Sequence, residues 1–250
     1  MKPYYEEAGI TIWHGDCLEV LPRCGAVDHV ITDPPYEAEA HTAGRRLNGR
    51  VAELAISSKR EIDAAPLSFA PMDERTRVEV SAEIGRLCSG WALVFCQAEA
   101  VAIWRDSLSA FGASYKRSMV WVKPDGAPQL SGDRPGMGYE SIVASWAGAG
   151  RSVWNGGGKR GVFIHNKRDV GAAGPNQHQT QKPISLMIEL VELFTEEGQT
   201  ILDPFMGSGT TLLAAKSCWR KAIGIELEEK YCEIAANRLR QSVFNFEEIA

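Results

Sequence analysis

The sequence predicts an open α/β sheet. Short apolar runs with the composition of buried strands alternate with segments whose apolar residues recur at helical spacing. Two predicted strands lead into unusual turns: residues 27–32 (VDHVIT) precede Asp33-Pro34-Pro35-Tyr36, and Thr200–Asp203 precede a glycine-rich turn. Because ligands bind at the edge of such sheets where parallel strands end, we expect a ligand site at these two turns.

The other elements follow from the same patterns. We expect strands at residues 10–16 (ITIWHGD), 91–97 (WALVFCQ), 118–124 (SMVWVKP), 139–147 (YESIVASWA) and 221–226 (KAIGIE). We expect helices near residue 17 and at residues 78–87, 98–111, 184–194 and 231–239, and after the glycine turn at LLAAK. Four tryptophans in these elements are predicted to be core residues rather than base-stacking groups: Trp91, Trp104, Trp121 and Trp146. The tail, residues 242–250, is predicted to be a strap against the core or loosely ordered.

The first turn places a carboxylate, a rigid corner and an aromatic ring directly after a strand. Pro34 and Pro35 end the strand and stiffen the chain. The Asp33 carboxylate and the Pro34 carbonyl can accept two hydrogen bonds from a planar amino group, and Tyr36 offers a face on which a base can stack. Four residues are an ambiguous signal by themselves, since a capped loop with a buried tyrosine fits them equally well.

The second turn has the features of a nucleoside site. Its candidate ligand-binding residues are Asp203, Pro204, Phe205, Gly207, Ser208, Gly209, Thr210 and Thr211. No lysine follows Gly209, so the phosphate-binding P-loop pattern is absent. Glycines allow a tight turn and close approach of a ligand, and Glu226, about 20 residues further on, suits a ribose diol. The turn and the spaced acid together predict a nucleoside-containing cofactor.

With His178–Pro183 (HQTQKP), the motifs DPPY and DPFMGSGTT resemble those of the DNA amino-methyltransferases, which methylate exocyclic amines of bases with S-adenosyl-L-methionine. The catalytic motif comes first, as in the β arrangement of that family, and the resemblance extends from about Thr11 to about Leu239. It implies a Rossmann-like methyltransferase fold in a single catalytic domain, residues 1–250. That fold has a mixed, mostly parallel seven-stranded sheet, helices on both faces and a small target-recognition insertion.

The resemblance also implies a reaction. The catalytic residues would be Asp33, Pro34, Pro35 and Tyr36. The family tends to have Asp first in this motif for adenine N6 and Ser for cytosine N4, so adenine N6 is expected. The acceptors would hold the amine and direct its lone pair at the methyl group, after the base is flipped out of the duplex. Cytosine-N4 methylation, methylation of RNA or of a protein amide, and a DNA-binding module without catalysis are the alternatives.

Three further residues acquire cofactor roles from the resemblance. Asp16 would bind the adenine amine of the cofactor, although it also suits the N-cap of the following helix. Lys182 would meet the methionine carboxylate, with an exposed surface charge as its alternative. Asp33 would itself contact the cofactor at the methyl group.

The distribution of charge favours double-stranded DNA as a partner. The net charge is −5, yet residues 41–60 carry five basic residues against one acid, and residues 151–182 carry six against one. Local basic patches suffice for phosphate contact, although solvated loop charges are the alternative. The candidate DNA-binding residues are Arg45, Arg46, Arg50, Lys123, Arg134, Arg151, Lys159 and Arg160. Residues 37–77 are predicted to be a mobile loop beside the catalytic motif, and residues 125–180 a target-recognition insertion.

The composition argues against several other classes. No apolar run reaches the roughly 18 residues of a membrane span, and the first residues lack the apolar core of an export signal. The six cysteines include no C-x-x-C pair, which argues against structural zinc and a disulfide framework, so no metal is expected and a reduced, cytoplasmic setting is favoured. Some relatives in the resembling family dimerise, so a homodimer is compatible with the sequence.

Overall fold

The structure, a computed structural model, describes residues 2–35, 72–126, 128–129, 132–133, 135–167 and 181–241. Its strands are β1 (Tyr5–Glu7), β2 (Ile10–His14), β3 (His29–Thr32), β4 (Trp91–Cys96), β5 (Ser114–Val122), β6 (Tyr139–Trp146), β7 (Val162–Ile164), β8 (Thr200–Asp203) and β9 (Lys221–Glu226). Its α-helices are α1 (Cys17–Val20), α2 (Glu74–Leu87), α3 (Val101–Ala110), α4 (Ile184–Phe194), α5 (Thr210–Ser217) and α6 (Glu229–Gln241). Single 3-10 turns follow α1 at Leu21–Arg23 and precede α3 at Ala98–Ala100.

Within the described residues, the strands form one nine-stranded sheet in the order β1-β2-β9-β8-β3-β4-β6-β5-β7. The strands β2, β9, β8, β3 and β4 are parallel, whereas β1 and β6 run antiparallel to their neighbours. The predicted mixed, mostly parallel sheet is confirmed, with nine strands instead of seven. The additional strands, β1 and β7, lie at the two ends of the sheet and have three residues each, too few to give an alternating pattern in the sequence.

The two motif strands end at the same edge of the sheet. β3 pairs in parallel with β8, and Val30 lies opposite Leu202. Asp33 and the turn after Asp203 therefore leave the sheet together, at the edge where the five parallel strands end, which we call the carboxyl edge. β6 runs antiparallel to β4, so its first residues, including Glu140, lie at the carboxyl edge as well.

Helices cover both faces of the sheet, as the fold class implies. Successive residues of a strand point to opposite faces, and all four residues of β3 are buried. Val30 packs in one apolar cluster with Ile84 of α2 and Leu108 of α3, whereas Ile31 packs in a second cluster with Leu190 of α4. The turn that carries Asp33 thus starts from a strand that is held on both sides.

The predicted core tryptophans are in the core. Trp91, Trp104 and Trp121 are 6%, 1% and 2% exposed, respectively. Trp146 is partly buried and packs edge-on against Trp91, with ring centres 5.3 Å apart. The indole nitrogen of Trp121 donates a 2.9 Å hydrogen bond to the carbonyl of His165, which ties the residue after β7 to β5.

Several element boundaries differ from the predictions. α2 begins at Glu74 rather than residue 78, because Asp73 caps the helix by accepting a 2.7 Å hydrogen bond from the Thr76 amide. Residues 74–77 therefore belong to the helix, although the polar first turn gave them the composition of a loop. The strand predicted at residues 139–147 is β6, a largely buried strand of the main sheet; the recognition insertion at residues 125–180 stays a prediction.

The last described helix returns to the first strand. α6 extends two residues beyond the predicted range at each end, and the guanidinium of Arg240 lies 5.4 Å from the ring centre of Tyr5.

Residues 36–71, which hold most of the predicted mobile loop, and the tail from residue 242 lie outside the described residues. None of the helices in the described ranges has the length and apolar character needed to cross a membrane.

Candidate active site at the carboxyl edge

Four acids leave the sheet side by side at the carboxyl edge. In the order of the strands they are Asp16 after β2, Glu226 at the end of β9, Asp203 at the end of β8 and Asp33 after β3. These four strands are parallel neighbours. The fold thus brings together acids that the sequence analysis singled out and that are far apart along the chain.

The glycine turn after β8 has a backbone that glycine adopts most easily. Gly207 and Gly209 have φ angles of +51° and +78°, in the left-handed region. A Cβ atom placed on Gly209 would lie 2.7 Å from the Cβ of Ala235 in α6, whereas one placed on Gly207 would meet nothing within 4 Å. Gly209 is therefore packed against the fold, and Gly207 borders open space from which a ligand can approach the backbone.

Asp203 holds the glycine turn to the neighbouring strand. Its Oδ1 accepts hydrogen bonds from the Thr32 hydroxyl at 2.7 Å and from the Phe205 amide at 3.1 Å. Burial raises the pKa of Asp203 to about 6, although hydrogen bonds from Thr211 and Thr32 act in the opposite direction. Asp203 therefore joins β3 to the turn, and direct contact with a cofactor stays a prediction for it.

A buried arginine supports the same turn from α6. Nη1 of Arg238 donates to the Ser208 carbonyl at 2.5 Å and lies 3.2 Å and 3.3 Å from the hydroxyls of Ser208 and Thr210. The residue is 6% exposed, and burial lowers its pKa. The sequence analysis missed Arg238, and the available signal was its helical spacing from buried residues such as Ala235.

Glu226 and Asp16, like Asp203, accept hydrogen bonds from backbone amides. Glu226 accepts a 3.0 Å hydrogen bond from the Gly207 amide at Oε2 and a 2.9 Å bond from the Glu228 amide at Oε1. Burial raises the pKa of Glu226, and these amides oppose that effect. Asp16 accepts a 2.9 Å hydrogen bond from the Leu18 amide and caps α1. The N-cap interpretation of Asp16 is confirmed, and its cofactor contact stays a prediction.

Asp33 is a half-buried carboxylate whose two oxygens have different surroundings. Oδ2 pairs with Nζ of Lys182. Oδ1 is buried and receives no hydrogen bond from any residue that the structure describes. Burial raises the pKa of Asp33, against the opposing effect of the Lys182 ammonium. Tyr36, the last residue of the motif, lies outside the described residues.

Lys182 is a buried cation rather than a surface charge. Its side chain is 7% exposed, and Nζ lies 3.2 Å from Oε2 of Glu140 and 5.1 Å from the ring centre of Phe95. Burial alone would lower the pKa of Lys182, but the carboxylates of Asp33 and Glu140 raise it. The surface-charge alternative is therefore wrong, and contact with the cofactor carboxylate stays a prediction.

Glu140 is a site residue that the sequence analysis did not find. It is the second residue of β6, pairs with both Lys182 and Lys123, and has a side chain that is 13% exposed. Its only signal in the sequence is that it is an acid in an otherwise mostly apolar strand. Lys123, predicted to contact DNA, is 12% exposed in this ion pair and lies 4.7 Å from the ring centre of Trp121.

The three other predicted DNA contacts that the structure describes are not gathered at the carboxyl edge. Arg151 follows β6, which ends at the opposite edge, where β4 begins. Lys159 pairs with Glu189 of α4, and Arg160 is exposed just before β7. DNA contact by these three residues stays a prediction. The remaining candidates lie outside the described residues: Arg45, Arg46, Arg50 and Arg134.

Comparisons with known proteins agree with this architecture. A family model described as DNA methylase (N6_N4) matches residues 151–237. The chain is 34% identical over 290 residues to the Type II methyltransferase M.XycI of Xanthomonas campestris pv. cyanopsidis. This match covers 97% of this chain and 91% of that relative.

Solved structures have the same fold. The crystal structure of M1.HpyAVI in complex with S-adenosylmethionine is similar with a TM-score of 0.69 and 26% identity, covering 92% of this chain and 98% of that chain. The PvuII DNA methyltransferase, described as cytosine-N4-specific, is similar with a TM-score of 0.70 and 17% identity, covering 95% of this chain and 88% of that chain. At that identity the second likeness shows the fold alone.

The fold, the glycine turn and these relatives define the class of the protein as a DNA methyltransferase that uses S-adenosylmethionine. Within that class, the chain belongs to the N6/N4 family of DNA amino-methyltransferases, because the N6_N4 family model matches residues 151–237 and the 34% identity to the Type II methyltransferase M.XycI extends over nearly the whole length of both chains. The family resemblance inferred from the three sequence motifs is thereby confirmed.

Proposed function

We propose that this protein transfers a methyl group from S-adenosylmethionine to N6 of adenine in double-stranded DNA. The observation that carries the proposal is Oδ1 of Asp33, a buried carboxylate oxygen to which no described residue donates. Buried acceptors normally have a donor, and the exocyclic amino group of a flipped base would supply one. Aspartate at this motif position supports adenine, since the resembling family tends to have serine there for cytosine N4.

Asp33 and Pro34 would act as acceptors for the amine. The lone pair of adenine N6 is delocalised into the ring, so the amine is a poor nucleophile. Oδ1 of Asp33 and the Pro34 carbonyl would take one N–H group each and leave the lone pair directed away from both, which is catalysis by positioning and electrostatics. Lys182, on Oδ2, favours the ionised form of Asp33, which accepts hydrogen bonds and does not donate them.

The glycine turn and the neighbouring acids would hold the cofactor. The open space in front of Gly207 supports this assignment. Glu226 would accept from the ribose hydroxyls, Asp16 from the adenine amine, and Lys182 would meet the methionine carboxylate. When bound, S-adenosylmethionine supplies an electrophilic methyl group on a positively charged sulphur. The base would have to leave the duplex to reach Asp33, and Tyr36 is proposed to stack on it.

Transfer of tritiated methyl groups tests the proposal. The purified protein is incubated with labelled S-adenosylmethionine and with duplex DNA, RNA or protein, and the DNA is digested to nucleosides. We expect label in N6-methyladenine. Label in N4-methylcytosine would favour the cytosine alternative, label in RNA or protein would favour the other methyltransferases, and cofactor binding without transfer would indicate a module that lacks catalysis.

A matched pair of variants tests the role of Asp33. Asp33→Ala removes the acceptor, and we expect kcat to fall by about 100- to 1000-fold, as when one preorganised hydrogen-bonding group is lost from an active site. Asp106→Ala, in an exposed acid on α3, is expected to retain wild-type activity. Loss of cofactor binding as well as turnover in Asp33→Ala would contradict the acceptor role.

A further inference from the structure

A row of four alternating charges crosses the active site. Asp33 after β3, Lys182 before α4, Glu140 in β6 and Lys123 after β5 form consecutive ion pairs. Their side chains are 26%, 7%, 13% and 12% exposed, respectively. Two acids and two bases balance each other, which is the condition under which charges are tolerated at such burial.

The row determines how the Asp33 carboxylate is presented. Lys182 is placed against Oδ2, and Oδ1 is left without a donor among the described residues. A lysine side chain has four rotatable carbons and forms an ion pair without a fixed direction, so Asp33 alone does not fix the ammonium. The second carboxylate, Glu140, holds the ammonium from another side at 3.2 Å.

We propose that Glu140 is a positioning residue of the methyl transfer: with Lys123 as its own partner, it holds Lys182 on Oδ2 of Asp33 and thereby keeps Oδ1 free to accept the amino group of the base. This inference rests on the proposed function of Asp33. Glu140 does not contact the reacting atoms in this arrangement, because Lys182 stands between it and Asp33.

The charge of Glu140, and not only the space that its side chain fills, determines whether Oδ1 of Asp33 stays accessible to the base. Without the charge of Glu140, the Lys182 ammonium is no longer held from the side of β6 and can move from Oδ2 toward Oδ1 of Asp33. Oδ1 would then be taken by a lysine in place of the base. Cofactor binding should change less, because the lysine that is proposed to meet the cofactor carboxylate is still present.

The test compares three variants by steady-state methyl transfer to DNA and by calorimetric binding of S-adenosylmethionine. Glu140→Gln keeps the size of the side chain and removes its charge, and Glu140→Asp keeps the charge. Glu83→Gln is the matched control, since Glu83 pairs with Arg86 at 2.5 Å on α2. Thermal unfolding of each variant establishes that it is folded.

We expect Glu140→Gln to lower kcat by about 10- to 100-fold, the loss that corresponds to one hydrogen bond to a charged group, with cofactor affinity within about threefold of the wild type. Glu140→Asp should recover most of the rate, and Glu83→Gln should match the wild type. If Glu140→Gln does not fold, the double variant Lys123→Met with Glu140→Gln restores the charge balance, and we expect it to fold and to keep the low kcat.

Three results would overturn the inference. The first is a wild-type kcat in Glu140→Gln, and the second is an equal fall in kcat in Glu140→Asp and Glu140→Gln. The third is a wild-type kcat in the double variant. A wild-type protein that transfers no methyl group to DNA would instead overturn the proposed function, and the positioning role with it. The wild-type assay therefore separates the two failures.

Discussion

The hydroxyl of Thr32 donates a 2.7 Å hydrogen bond to Oδ1 of Asp203 across a sequence separation of 171 residues. Thr32 is the last residue of β3, directly before Asp33, and Asp203 is the last residue of β8, directly before the glycine turn. Both are buried, with 0% and 2% exposure. This hydrogen bond therefore couples the proposed acceptor of the amine to the cofactor turn.

Replacement of Thr32 tests this coupling. Thr32→Val keeps the shape of the side chain but leaves the buried Asp203 carboxylate with one donor fewer, which should cost about 1–3 kcal/mol of unfolding free energy. Thr32→Ser retains the hydroxyl and is the control. Urea unfolding measures the difference, and equal stability of the two variants would contradict the coupling.

The raised pKa of Asp203 predicts a dependence of stability on pH. A carboxyl group whose pKa rises from 3.8 to about 6 on folding binds its proton more tightly in the folded state. Its contribution to stability is therefore fully present below the unfolded pKa and is lost as the pH rises through the folded pKa. The unfolding free energy attributable to Asp203 should fall by about 3 kcal/mol between about pH 4 and pH 6.

The variant Asp203→Asn isolates this contribution, because the amide has a similar shape and does not titrate. We expect the difference in unfolding free energy between the wild type and the variant to change over that pH interval and to level off above it. Denaturant unfolding at several pH values gives the two profiles. Parallel profiles would show that Asp203 does not titrate in this range.

Gly209 is expected to be the least replaceable glycine of the cofactor turn. Gly209→Ala forces alanine into a φ of +78° and brings its Cβ to 2.7 Å from Ala235. Gly112→Ala is a matched control with a φ of +92° and no atom within 4 Å. The left-handed backbone should lower the unfolding free energy of each variant by about 1–2 kcal/mol. The clash with Ala235 should lower it further only in Gly209→Ala.

Binding of S-adenosylmethionine distinguishes the two glycine variants further. We expect calorimetry to show at least about tenfold weaker binding for Gly209→Ala, because the displaced turn costs more than about 1.4 kcal/mol of binding free energy. Gly112→Ala should bind as the wild type does. Wild-type affinity in Gly209→Ala would mean that the turn does not contact the cofactor.

Arg238 is expected to act on cofactor binding more than on stability. Arg238→Met removes the donor to the Ser208 carbonyl, so the turn loses a charged hydrogen bond and the affinity for S-adenosylmethionine should fall about tenfold. The unfolding free energy should change less, because the hydrogen bonds lost at Ser208 and Thr210 are offset by burying methionine without the desolvation of a charge. Arg240→Met, at an exposed position of the same helix, is the control. Equal affinities of the two variants would contradict a role for Arg238.

The sequence predicted those strands and turns that are determined by residues close together along the chain. The strand before Asp33 was recognisable because apolar, β-branched residues are followed by two prolines, and the turn after Asp203 because its glycines are closely spaced. The motif order was specific enough to identify the family. Asp73 shows the limit of periodicity, since a helix cap made by one polar residue determines where α2 begins.

What the sequence did not predict depends on contacts between distant residues. Glu140 is unremarkable as an acid at the start of a strand until the antiparallel pairing of β6 with β4 brings it to the carboxyl edge. Arg238 has no distinguishing feature in the sequence, because its role depends on the packing of α6 against the glycine turn. The burial of Lys182 likewise depends on Asp33 and Glu140 being present on either side, and no spacing along the chain encodes that arrangement.

The contact between Arg240 and Tyr5 places the last described helix against the first strand. Elements that pack against each other can be linked directly in a circularly permuted chain. A chain permuted to start at α4 and to run from α6 into β1 would carry the glycine turn before Asp33, while every strand kept its neighbours. The same pocket can therefore be built whichever of the two motifs comes first along the chain.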